Sequence, residues 1–137
     1  MDDLRDRIYE VVSTLKSARA RETAADILEA VIEVASKDKE KGQVLVAFRG
    51  DPHRQWAVNT DGDFAPRRIE GNEKPGKAPV LIDASVDAER FESALAKAST
   101  VQELAFESGM RIRGSSDFIV AASAAINRRC FRTQGAG

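Results

Sequence analysis

The chain of 137 residues is poor in the side chains from which most reaction centres are built, with one histidine, one cysteine, one tyrosine and one tryptophan. His53 and Cys130 stand far apart and alone, so a His/Cys metal cluster is excluded and no metal site is expected. Cys130 has no partner for an internal disulfide, which fits a reducing compartment. There is no charge excess either: 21 basic against 22 acidic residues leave a net charge of −1, unlike the basic surplus of a dedicated nucleic-acid binder. No apolar run approaches the length of a bilayer span, so no integral membrane segment is expected. The start "MDDLRDR" is too acidic for a signal peptide, and "RTQGAG" carries no lipidation or peroxisomal signal. Gly109 and Gly114 lack the lysine and glycine run of a phosphate loop. These absences predict a cytoplasmic protein with no cofactor.

What is present suits one domain over residues 1–137, with 42% hydrophobic and 31% charged residues. Leu4, Ile8, Val11, Val12 and Leu15 form one helical stripe, read as an added N-terminal helix within residues 1–22. Ala24, Ile27, Leu28, Val31, Val34 and Ala35 form a second stripe, with Thr23 as its expected N-cap and "KDKEKG" as its end. From residue 44 the period changes to two. "VLVAF" puts Val44, Val46 and Phe48 on one face, Trp56 and Val58 mark a second strand, and "FAPRRIE" a third that Pro66 confines to an edge or a bulge. "GDPH" and "TDGD" are turn chemistry, "GNEKPGKAP" is the longest loop, and Val80–Ala84 reads as a buried strand in an antiparallel meander.

The C-terminal half is denser in signals. Asp87 is placed to cap a helix, with Val86 and Phe91 as a hydrophobic staple and Phe91, Ala94 and Leu95 as its apolar face. Thr100 with Glu103 matches a capping box and opens a short segment carrying Leu104 and Phe106. Gly109 stops it, "MRIR" makes a last strand, and Ser116 or Asp117 is expected to cap a final helix to about Arg129. That helix puts Ala121, Ala122, Ala124 and Ala125 where a helix on a sheet usually carries bulk.

From Val80 to Ile126, and more faintly back to Val44, this wording resembles the sterol carrier protein type 2 family. The resemblance rests on "VLIDAS" leading into "VDAERF", then a short helix, then "GMRIRGSSD". Gly109, Ile112, Gly114, Asp117 and Phe91 carry over; Ala96 stands where the family often has glycine. The resemblance implies an α+β fold: a five-stranded, mostly antiparallel twisted sheet with helices on one face and an apolar tunnel between them. Sterols, fatty acids, acyl thioesters or phospholipids occupy that tunnel in the family. On that reading the alanines leave room for a ligand; without it, they only let a helix lie close to the sheet.

The expected ligand-binding set is Phe48, Trp56, Phe64, Phe91, Leu104, Phe106, Met110, Ile112, Phe118, Ala122, Ala125 and Ile126, each of which is also an ordinary core residue. The leading expectation is a non-catalytic carrier of an apolar or amphipathic small molecule. The rival is a small cyclase, isomerase or dehydratase using the same cavity, with Asp83, Glu107 or Tyr9 moving a proton. Asp83 is a buried acid in that case and a solvent-facing one otherwise. Arg111, Arg113, Arg128 and Arg129 are solvated, or attract an anionic head group. His53 reads as an exposed turn residue. Cys130 follows two arginines, which lower a thiol pKa, although a plain helix-end cysteine is the simpler account. A third reading is an interaction domain, with Leu4, Ile8, Val12 and Leu15 pairing the chain with a partner or a second copy.

Overall fold

The segment QVLVAFR is apolar on both of its faces, the pattern of a strand with neighbours on each side and cover above and below. In the computed structural model, which describes residues 2–38, 41–49, 54–60, 64–70 and 76–131, it is the central strand β1 (Gln43–Arg49). β2 (Arg54–Asn59) pairs antiparallel with it and β3 (Pro66–Ile69) antiparallel with β2. On the other side β4 (Val80–Asp87) pairs parallel with β1, and β5 (Arg111–Gly114) antiparallel with β4. The order β3-β2-β1-β4-β5 is a mixed, open, five-stranded sheet in an α+β protein. The expected meander therefore holds only through β3. The chain then crosses to the far side of β1, because the apolar β4 is buried best beside the apolar central strand rather than outside Pro66 at the edge.

The register sorts side chains by face. Val44 lies beside Val58 and Ile82, Val46 beside Trp56 and Ala84, and Phe48 beside Val86. This face carries the main core and the helices. On the opposite face Leu45, Ala57 and Ile69 form a small separate cluster. Asp83, next to Leu45 and Arg113 in the register, belongs to that second face.

The helices follow from local chemistry. α1 (Asp2–Val11) ends in a single 3-10 turn, Val12–Thr14, and α2 (Ala18–Lys37) begins directly afterwards. Ser17 caps α2 by accepting from the Ala20 N–H at 3.0 Å, so the expected Thr23 cap is wrong: "ARAR" is strongly helix-forming and extends the helix past it. Ile8, Val12 and Leu15 are fully buried within the chain, so the stripe proposed for dimerisation is already used. α3 (Ala88–Leu95) is capped by Asp87 as read, and Val86 and Phe91 are both buried. α4 (Val101–Ser108) has Thr100 accepting from Glu103 N–H, while the Glu103 carboxylate accepts from Ser99 N–H. Gly109 closes α4 at φ 67°, a left-handed conformation suited to glycine. α5 (Ser116–Cys130) is capped by Ser115, one residue earlier than expected, because its extended backbone aims the hydroxyl at Phe118 N–H. Gly114 precedes it at φ 150°, where a Cβ would lie 2.4 Å from the Leu81 carbonyl oxygen.

The turn residues Asp51, Pro52 and His53, the turn at Asp61–Asp63 and the loop at Gly71–Pro75, as expected from the sequence, lie outside the described residues. From the end of that loop, the carbonyls of Gly76 and Ala78 accept from the Gln43 side-chain amide, both at 2.8 Å. Among the described residues no helix is long and apolar enough to cross a membrane.

α3 is fastened to the start of α2 by one carboxylate. Glu92 accepts from the Lys16 and Ser17 backbone N–H groups at 2.7 and 3.1 Å. Partial burial works against its charge, yet these N–H groups prevail and hold the carboxyl below the ordinary glutamate range. A depressed folded pKa contributes stability above the unfolded value and loses it as pH falls through the folded one. Glu92→Ala is expected to cost about 1 kcal/mol near neutral pH, a low figure because the carboxylate faces water. The difference from wild type should vanish under acid conditions, as read by urea unfolding at about pH 7 and about pH 3.

Candidate functional site

Between the sheet and the helices lies an apolar cavity of about 110 Å³. Its floor is mostly Val44, Val46 and Phe48 of β1 with Ile82, Ala84 and Val86 of β4. α2 contributes Ala24, Ile27, Leu28 and Val31, four positions of one helical face. α5 contributes Ile119, Ala122, Ser123 and Ile126, α4 contributes Val101 and Leu104, and Met110 and Ile112 close the β5 side. Phe91 from α3 stands edge-on to Phe48, ring centroids 6.0 Å apart and planes at 81°, and fixes one wall. Small side chains from three elements, Ala24 of α2, Ala84 of β4 and Ala122 of α5, are part of the lining.

The lining is not fully covered: Val101, Met110, Ile119 and Ser123, like Ile27, Val46 and Ala84, are only partly buried, and Ile112 is exposed. Val101, Ile112, Ile119 and Ser123 lie at the seam between α4 and α5 and on the edge strand β5 beside it. Asn127 bridges that seam: its amide oxygen accepts from Val101 N–H at 2.7 Å and its amide nitrogen donates to the side-chain Oε1 of Gln102 at 2.9 Å.

Of the residues expected to bind a ligand, the structure gathers Phe48, Phe91, Leu104, Met110, Ile112, Ala122 and Ile126 around this cavity. The others are elsewhere. Trp56 and Phe64 pack against the main core from β2 and from the approach to β3, and the buried indole N–H of Trp56 has no hydrogen-bond partner among the described residues. Phe118 is buried in the core beside the cavity lining rather than in it. Phe106 is 83% exposed, because the inner face of α4 is occupied by Leu104 and Ser108. Ala125 packs at the seam with α2, where it borders a surface groove with the exposed Ala121 and Ala124. Thus only one alanine of the four faces the cavity.

The three proton-transfer candidates are dispersed. Asp83 is on the far face of the sheet, and Glu107 is exposed beside a polar depression lined by Arg90 and Lys97. Tyr9 donates to Glu22 beneath Arg5, whose guanidinium lies 5.0 Å from its ring centre. Arg5 also pairs with Asp26 and Glu29. Burial disfavours that guanidinium's charge, but its hydrogen bonds to Tyr9, Asp26 and Glu29 outweigh the cost and raise its pKa. The Tyr9 hydroxyl, then Arg5, holds Glu22 below the ordinary carboxylate range.

Arg111, Arg113, Arg128 and Arg129 do not converge on one place. Arg129 pairs with Glu29 and Glu33 of α2, Arg128 borders the outer α2–α5 groove, and Arg111 and Arg113 flank Ile112 on the sheet's other face. Burial, then the Asp26 charge, pushes the Cys130 thiol up to about 11 despite Arg129, the reverse of activation. Among the described residues no group of three or more His, Cys, Asp or Glu is placed to hold a metal ion.

Sequence reasoning had Ala24, Ile27, Leu28 and Val31 as a core stripe but no sign that they face a void. Ser123 carried no signal at all.

No protein-family model matches the chain, and a comparison with curated proteins gives no match. Among solved structures it is similar to sterol carrier protein 2 from Yarrowia lipolytica in its apo form, with 15% identity and a TM-score of 0.43 over 92% of this chain and 88% of that one.

The two buried alanines of α5 should answer differently to enlargement. Ala122→Leu grows into open space and is expected to leave stability unchanged or raised. Ala125→Leu overpacks the α2–α5 seam and should cost about 1–3 kcal/mol in urea unfolding.

Proposed function

We propose that the chain binds an apolar or amphipathic small molecule in this cavity and carries it unchanged, as a cytoplasmic carrier. The observation that supports the reading is the lining: among the described residues, every one around the hollow is apolar except Ser123. Such a hollow holds water poorly and gains by admitting hydrocarbon, at roughly 25 cal/mol per Å² of apolar surface removed from water. The sequence resemblance across Val80–Ile126 leads to the same class of ligand.

The resting volume limits what enters without rearrangement. At about 110 Å³ it is smaller than the ~150 Å³ cavity that takes up benzene. A chain-like ligand therefore parts the α4–α5 seam, where the closing contacts are the two Asn127 hydrogen bonds rather than packed side chains alone. Widening there turns the hollow into the tunnel that the resemblance implies.

Two measurements test this. Native mass spectrometry of the recombinant protein should show copurified apolar mass released only on denaturation. The neutral hydrocarbon fluorophore diphenylhexatriene should brighten saturably on addition of the protein and fail to do so with Ala122→Phe, which fills the hollow. An empty protein that leaves the fluorophore dark overturns the reading.

A further inference from the structure

The cavity has a single polar side chain in its wall, and where that hydroxyl stands decides what kind of head group a guest can carry. On α5 the lining falls into two rows. Ala122 and Ile126 are buried and face the interior, whereas Ile119 and Ser123 are partly buried and continue in steps of four to Asn127. Asn127 is bonded to α4, so the whole row faces α4 and Ser123 lies one turn from the bridge, at the seam. The Ser123 hydroxyl makes no hydrogen bond to any described residue, in contrast to Ser108, which bonds back to the Leu104 carbonyl.

A hydroxyl at this partly covered seam is satisfied by water. Once a guest covers it, the water is displaced and the hydroxyl becomes an unmet polar group unless the guest supplies a partner. A hydrocarbon supplies none. A carboxylate or phosphate supplies an acceptor but brings a charge that must leave water, and among the described residues no cation lines the cavity. The charged side chains that α4 and the first turn of α5 carry toward solvent are acids, Glu103, Glu107 and Asp117, and the exposed Arg111 and Arg113 of β5 belong to the opposite face of the sheet. The cations of α5 are committed elsewhere, Arg129 to Glu29 and Glu33 and Arg128 to the outer groove.

The geometry points to Ser123 as the residue that reads the ligand head group, selecting apolar molecules that bear one neutral hydroxyl or carbonyl over those bearing an ionised head. This rests on the carrier reading above. It names an alcohol, ketone or ester of an apolar body as the guest, with the hydrocarbon inside and the oxygen at the α4–α5 seam.

The test is displacement of diphenylhexatriene by three ten-carbon competitors, decane, decan-1-ol and decanoate, at a pH where decanoate is ionised. Decan-1-ol should compete at a concentration at least about tenfold below that of decanoate. Ser123→Ala should weaken decan-1-ol by about three- to tenfold and leave decane and the fluorophore unchanged or slightly tighter. Ser123→Thr, which keeps the hydroxyl, should retain the preference for the alcohol. Decanoate binding as tightly as decan-1-ol, or Ser123→Ala weakening decane and decan-1-ol alike, overturns the assignment while leaving the carrier reading intact. Failure of wild-type protein to take up the fluorophore at all overturns both.

Discussion

The parallel pairing of β1 with β4 is the contact on which the rest of the molecule depends. Parallel neighbours cannot be joined by a tight turn, so the chain must leave β1, build the β2–β3 side of the sheet, and return on the opposite side. The pairing begins where the Gln43 N–H donates to the Pro79 carbonyl and runs to Arg49 beside Asp87. Its register sets Val44, Val46 and Phe48 next to Ile82, Ala84 and Val86, which make up most of the floor of the cavity. Because β4 runs straight into α3 through the Asp87 cap, the same register delivers Phe91 edge-on to Phe48.

The roof obeys a different rule. α2 and α5 lie against each other, and the buried Ala125 of α5 sits at that seam beside Val34 of α2. Outside that seam Arg129 reaches Glu29 and Glu33, and Glu29 also receives Arg5 from α1, so one acidic face of α2 gathers two neighbouring helices. Alanine thus plays two parts on α5. At Ala125 it lies in the seam with another helix, and at Ala122 it lines the hollow.

This difference explains how far the sequence could be read. The approximate helix positions, the Asp87 and Thr100 caps and the stop at Gly109 were legible, because each is written in residues close together in the chain. The β1–β4 crossover was not, since alternation of apolar residues records that a strand has a buried face but not which strand lies beside it. The alanine stripe was legible as small residues, yet only the partner across the gap separates Ala122 from Ala125. Phe106 misled for a related reason: an aromatic in a short apolar segment suggests burial, but Leu104 two residues earlier had already claimed the inner face. Ser123 was invisible because one serine among alanines changes no pattern.

A folded protein that encloses unfilled space occupies more volume than its atoms require, and hydrostatic pressure acts on that excess. Unfolding eliminates internal voids, so a chain with a hollow of about 110 Å³ is driven toward the unfolded state by compression more readily than a solid core of equal size. A guest that fills the space removes part of this volume penalty. Filling of the hollow is therefore expressed in the volume change of unfolding, the quantity that sets how steeply stability falls with pressure.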